Sequence, residues 1–134
     1  MDVSRIGKIS TIDPQKGMAK VHYEDTGNTT SDLPIFKLGD EYCMPKVGEQ
    51  VLVIHLSNDS SSGVIMGKFW DESEPPGIAD GYRKGFAEGA YETVQARTYT
   101  LHAEEIIFEG KNGSMTLSQI LLLDKRVTEL EGRI

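Results

Sequence analysis

Cysteine is almost absent from this chain: Cys43 is the one thiol in 134 residues. A single cysteine closes no disulfide within a chain and builds no thiolate metal site, which removes disulfide scaffolds and zinc fingers. Its expected role is a small, semi-buried packing side chain. Long apolar runs are missing too. No stretch approaches the ~20 apolar residues that span a bilayer. Met1-Asp2-Val3-Ser4-Arg5 lacks the apolar core of a signal peptide. The expectation is a soluble chain made in the cytoplasm. Positive charge is scarce, with 14 Lys and Arg against 21 Asp and Glu and a formal net charge of −7. Non-specific nucleic-acid affinity comes mostly from clustered Lys and Arg, so neither nucleic acid nor an anionic membrane is an expected partner.

Catalytic signatures are equally scarce. No Gly-rich phosphate loop, nucleophile elbow or zinc motif occurs. His22, His55 and His102 stand far apart, each in a predicted strand, and read as surface or rim residues. The acid pairs Asp40-Glu41, Asp71-Glu72 and Glu104-Glu105 read as solvated neighbours. The sequence therefore predicts no enzyme: no catalytic residue, no metal site and no cofactor. Apolar residues make up 38%, below the globular average, as expected when some apolar surface is buried between chains.

What is present in the first half is strand pattern. Arg5 to Ile12 places apolar residues at 6, 9 and 12, with Gly7 as a bulge or bend. Asp13-Pro14-Gln15-Lys16-Gly17 is turn chemistry. Met18 to Tyr23 alternates in period two, so the two segments form a hairpin. Leu33-Pro34-Ile35-Phe36 reads as a short edge strand, because Pro cannot donate to a central ladder. Gln50 to Leu56 is the most continuous apolar run and the predicted central strand. Asn58 to Gly63 is a turn cluster, and Val64 to Trp70 is the last strand. Five short strands in this span predict an OB-type barrel over residues 1–70. Val51, Val53, Val64 and Met66 are its candidate core. The aromatics Tyr23, Phe36, Tyr42, Phe69 and Trp70 have no basic cluster between them, so packing accounts for them better than base stacking.

Residues 71–92 read as a Pro/Gly-rich connector, with glycines at 77, 81, 85 and 89. Helix is the alternative, but each Gly costs a helix about 1 kcal/mol. Residues 93–117 read as a β-stem: a strand over Thr93 to Ala103, a second over Glu104 to Glu109, a turn at Gly110-Lys111-Asn112-Gly113 and a return strand Ser114 to Leu117. So few strands are marginal alone and need a partner surface. Residues 118–134 form the predicted C-terminal helix, capped by Ser118. Ile120, Leu123, Val127, Leu130 and Ile134 follow the three-four spacing of a coiled-coil seam.

Four stretches carry a family resemblance. They are Arg5-Ile6-Gly7-Lys8-Ile9 with the following Asp13 to Gly17 turn; Thr30-Ser31-Asp32-Leu33-Pro34; Met44-Pro45-Lys46-Val47-Gly48-Glu49-Gln50-Val51-Leu52-Val53; and Gly63-Val64-Ile65-Met66-Gly67-Lys68-Phe69-Trp70. The last two are the most specific, with Pro-x-Val-Gly-Glu-x-Val and Gly-Val-x-x-Gly in order. Together they resemble the N-terminal OB domain of the phage baseplate assembly protein V family, tail-spike proteins related to the type VI secretion spike. The resemblance covers about half the chain.

That resemblance implies a homotrimer. Three OB barrels would ring the end of the tail tube, and the downstream strands would wind into a threefold β-prism or β-helix. Ile106, Phe108, Met115 and Leu117 are the candidate inward positions of that stem, continued by Ile120, Leu123, Val127, Leu130 and Ile134 of the helix. The implied function is a structural hub or spike subunit of a contractile phage tail, tailocin or related particle, which assists envelope penetration. Its implied partners are tail-tube and baseplate proteins, with transient contact to the target envelope. It would be made in the host bacterial cytoplasm and then built into the particle. Larger relatives hold an iron ion at a pointed apex through His-x-His, a motif this sequence lacks. Either a separate tip protein binds the distal end or the hub is blunt. The alternative function is an OB-type binding module for single-stranded nucleic acid or oligosaccharide.

Overall fold

Period-two alternation builds the first half of the chain. The computed structural model describes residues 3–57, 61–73, 75–77 and 80–133, and separates into two units, Met1–Gly77 and Ile78–Ile134. The predicted turn residues Asn58, Asp59 and Ser60 and the seam residue Ile134 lie outside the described residues. The fold is mainly β, with antiparallel ladders and one C-terminal α-helix.

In the first unit, β1 (Ser4–Asp13) and β2 (Met18–Tyr23) form the predicted hairpin, and Gly17 takes φ 65° in the turn. Two-residue strands β3 (Asn28–Thr29) and β4 (Leu33–Pro34) lie beside β2, while β5 (Gln50–His55) pairs with β1 and β6 (Gly63–Gly67) with β5. The sheet runs β3-β2-β1-β5-β6, with β4 also on β2. Among the described residues no ladder closes it into a continuous barrel. The gap between β4 and β6 is crossed by one isolated parallel bridge, Ile35 to Ile65, where Phe36 N–H donates to the Ile65 carbonyl at 2.8 Å.

The core is Ile9, Ala19, Val21, Tyr23, Leu33, Val51, Val53 and Ile65. Val51 and Val53 are fully buried, opposite Gly7 and Arg5 of β1. Val64 and Met66 are not core residues: Val64 is half-buried, Met66 is 36% exposed, and Ile65 between them is fully buried. The inward parity of β6 is therefore one residue away from the predicted one. It is set by pairing. His55 lies opposite Gly63 and Val53 opposite Ile65, after which the register slips so that Leu52 meets Gly67 and Met66 is passed over. An unbroken Val-Ile-Met run contains no polar residue to mark its outer face, so its parity is not legible in the sequence.

Gly7 is not a bulge. It pairs regularly with Val51, and a Cβ there would stand 2.4 Å from Val21 Cγ1 and 2.8 Å from the Tyr23 ring. The irregularity lies instead between Ile9 and Thr11. Gly7 is needed because the Tyr23 side chain crosses directly over the strand at that point. The last strand also ends earlier than predicted, at Gly67, leaving Phe69 and Trp70 exposed beyond it.

In the second unit, β7 (Tyr82–Gly85), a 3₁₀ turn at Ala87–Gly89, β8 (Tyr91–Gln95) and β9 (Thr98–His102) form a three-stranded antiparallel sheet. The predicted connector over 71–92 is thus partly strand, in place of either a flexible link or a helix. The predicted single strand from Thr93 to Ala103 is broken by a two-residue turn, Ala96-Arg97, with φ of 47° and 69°. Positive φ at both central residues matches the twist a tight hairpin requires, although neither residue is the Asn or Gly that normally signals it. β10 (Ile107–Gly110) and β11 (Gly113–Thr116) form a second hairpin, and α1 (Leu117–Glu131) follows directly.

The helix is capped by Thr116, not Ser118. Thr116 Oγ1 accepts from Gln119 N–H, and Gln119 Oε1 accepts from Thr116 N–H at 2.8 Å, which is a capping box. Leu117 N–H donates to the Ile106 carbonyl at 2.8 Å, and Ser118 N–H donates to Glu105 Oε1. The first three helical N–H groups are therefore all satisfied, two of them by the segment leading into β10. Leu117 is consequently the first helical residue rather than an inward strand position.

Candidate functional site

The histidines occupy three different settings. His22 Nδ1 shares a 2.8 Å hydrogen bond with Thr29 Oγ1 on the surface, and His102 stacks on Tyr91 with ring centroids 4.8 Å apart. His55 departs from the predicted rim position: it is 2% exposed, inside the first unit. Its neighbours determine its tautomer. Nδ1 faces the Ser62 carbonyl at 3.1 Å, which only accepts, so Nδ1 carries the proton. Nε2 is then the acceptor for Tyr23 O–H at 2.7 Å. Burial raises the Tyr23 pKa; the Arg5 guanidinium, 3.9 Å above the ring, opposes that rise, and Asp25 adds to it. Arg5 is held in turn by Asp25 at 2.7 Å.

In this chain of contacts, Asp25–Arg5–Tyr23–His55–Ser62, both ring nitrogens of His55 and the Tyr23 hydroxyl are engaged, and burial favours the protonated phenol. The chain of contacts packs a tyrosine through the sheet and offers no free base or nucleophile. Among the described residues no group of three or more His, Cys, Asp or Glu is close enough to share a metal ion. Cys43 is exposed, not semi-buried as predicted. Among the described residues no helix is long and apolar enough to cross a membrane.

Folding does gather lysines that the sequence shows as scattered. Lys8, Lys46 and Lys68 line a groove of about 690 Å³ together with Glu49, Phe69 and Asp71. Lys8 is paired with Glu24 at 3.0 Å and Lys68 with Glu49 at 3.5 Å. Two of the three ammonium groups are thus already partnered, which lowers the positive potential available to a phosphate chain.

The larger feature is the uncovered apolar surface of the second unit. Register places Tyr82 beside Val94, Val94 beside Tyr99, and Glu92 beside Leu101, so Tyr82, Val94, Tyr99 and Leu101 share one sheet face, all exposed. Tyr99 O–H donates to Glu92 on that face, which raises the phenol pKa. The opposite face is polar, with Thr93, Thr100 and Thr98 around the Arg83–Tyr91–His102 stack.

The predicted interface residues fall nearby. Phe108 and Met115 are direct partners across the β10–β11 hairpin, both exposed, while Ile106 is half-buried just before it. Ile120, Leu123, Val127 and Leu130 are exposed on α1, as are Leu121 and Leu122, and no helix residue is buried. Within one chain, then, the second unit carries two sheets and a helix, and none of its described residues is buried.

Sequence reasoning missed Tyr82, Val94, Tyr99 and Leu101 as surface partners. The signal was present in β9, where Tyr99 and Leu101 alternate with polar residues, but Tyr82 and Val94 become their neighbours only through the Ala96-Arg97 turn. Compared with known proteins, the chain matches no family model and no curated protein.

Proposed function

We propose that the chain is a structural, non-enzymatic hub or spike subunit at the baseplate of a contractile phage tail or phage-tail-like injection particle. In this reading the first unit is an OB-type barrel set in a threefold collar, where it caps the tail tube and contacts baseplate proteins. The second unit is a stem closed jointly by three chains as a β-prism, and the trimer is driven against the target envelope when the sheath contracts. The distal end is either completed by a separate tip protein or left as a blunt hub.

The observation that carries this reading is the exposed apolar surface of the second unit, on its three-stranded sheet, its hairpin and its helix. Exposed apolar surface on several elements is expected of an interaction site, and an isolated two-stranded hairpin is marginal in water without a partner. Two further observations support the barrel. The order β4-β2-β1-β5-β6, with the parallel Ile35–Ile65 bridge between its ends, is compatible with a partly open five-stranded barrel. The resemblance motifs also do structural work here: Gly48, at φ 91°, donates to the Ile9 carbonyl where the loop enters β5, and Gly63 and Gly67 bound β6.

Light scattering on the full chain at micromolar concentration tests the proposal. A particle of three times the 14.8 kDa chain mass is expected, and a stable monomer overturns it. A second reading, an OB-type module for single-stranded nucleic acid or oligosaccharide, rests on the groove beside Phe69 and on Lys46, its one lysine without an ion pair among the described residues. Salt-dependent oligonucleotide binding at physiological ionic strength, lost on K8A/K46A/K68A, would replace the first reading with this one.

A further inference from the structure

The flanks of the α1 seam carry a charge code. Ile120 and Val127 fall at heptad a, and Leu123 and Leu130 at d. That register puts Gln119 and Arg126 at g, and Asp124 and Glu131 at e. One flank is therefore acidic and the other neutral or basic. In a parallel, in-register arrangement each g residue faces the e residue five positions on in the neighbouring copy. Gln119 then meets Asp124, and Arg126 meets Glu131. An antiparallel arrangement sets e against e and g against g, which brings Asp124 and Glu131 against acids and leaves the arginines without carboxylates.

Two structural facts make this code usable. Among the described residues, neither Arg126 nor Glu131 forms an ion pair within its own chain. The helix start is also preformed, because the Thr116–Gln119 box, Glu105 and the Ile106 carbonyl hold its first turn. A helix ordered before association loses less entropy when it associates.

We propose that α1 is an orientation key: copies of this chain associate through it parallel and in register, and the Arg126–Glu131 contact between neighbours selects that arrangement over the antiparallel one. The inference rests on the assembly reading above and deepens it; it holds equally for two or three strands.

Disulfide trapping in the full chain tests the orientation. Cys43, which is exposed, is first replaced in a C43S background. L130C is then oxidised under mild conditions. In register, equivalent d positions adjoin, within the ~7 Å between Cα atoms that a disulfide tolerates. An antiparallel pair centred on the seam separates them by about 15 Å at 1.5 Å rise per residue. Covalent dimers on a non-reducing gel are expected. A second arm reads the charges. R126E and E131R are each expected to weaken association about two- to fivefold, the range of an exposed ion pair, and the double swap R126E/E131R to restore it. A double swap no better than its parents overturns the Arg126–Glu131 key alone, whereas an oligomer in scattering that gives no L130C crosslink overturns the parallel arrangement and with it the threefold stem. A monomer overturns both the key and the assembly reading.

Discussion

Removing one hydroxyl, with Tyr23→Phe, tests the buried contact at the centre of the first unit. The ring stays under the Arg5 guanidinium and keeps its packing against Val21 and Gly7. What goes is the 2.7 Å hydrogen bond to His55 Nε2. The Nε2 lone pair is left without a donor in a side chain that is 2% exposed. Removing one partner so that a buried acceptor is left unsatisfied costs about 1–3 kcal/mol, and a loss in that range is expected. The assay is urea unfolding of the full chain, read by hydrogen exchange at the Val21 and Val53 amides, which report the first unit alone. His55→Phe is expected to cost a similar amount, because it strands the Tyr23 hydroxyl, while the Ser62 carbonyl keeps the Leu56 N–H. The double variant Tyr23→Phe/His55→Phe then costs clearly less than the two added together, since both ends of the contact are gone. A Tyr23→Phe effect below about 0.5 kcal/mol, or strict additivity in the double variant, would refute the tautomer and the contact as described.

Three further outcomes are expected, two from the packing of the first unit and one from the start of α1. Ile65→Ala is expected to destabilise the first unit by about 2–5 kcal/mol and Met66→Ala by under about 1 kcal/mol, so equal effects in urea unfolding would contradict the inward parity of β6. Gly7→Ala is expected to cost about 1–3 kcal/mol or more, because its Cβ would meet Val21 Cγ1 at 2.4 Å; a neutral midpoint shift would show that the strand yields freely there. Glu105 has its pKa lowered from 4.5, first by the Ser118 hydroxyl and then by the Ile106 N–H. Its folded value lies below its unfolded one, so its support of α1 is present above the ordinary carboxylate range and fades as pH falls through the lower folded value. Circular dichroism from pH 6 down to 3 is expected to show a loss of helix below about 4.5 that is absent in Glu105→Gln. Identical profiles would remove Glu105 from the helix start.

Some of this fold was legible in the residues because local chemistry alone decides it. Asp13 to Gly17 is turn chemistry in any context, and the alternation from Met18 to Tyr23 can satisfy only a half-buried strand. The apolar run from Val51 to Ile54 required a place beside other strands, and the three-four spacing of Ile120 to Leu130 required a helix.

Other features exist only once distant segments meet. The parity of β6 depends on a register slip against β5, and the need for glycine at position 7 depends on a tyrosine sixteen residues later in the chain. His55 reads as an ordinary strand histidine until Tyr23 and Ser62 close around it. The Ala96-Arg97 turn carries no turn residues, so neighbouring strands must impose its positive φ angles. The helix begins at Leu117 because Glu105 and Ile106 reach its first N–H groups from the segment before the hairpin. The lysine groove and the apolar sheet face likewise join residues that are separate in sequence. Sequence determined where this protein can make strands, turns and a helix, since those are set by neighbours along the chain. Tertiary structure decided which face of each element is buried and which apolar residues remain uncovered, since burial is set by whatever the fold brings alongside.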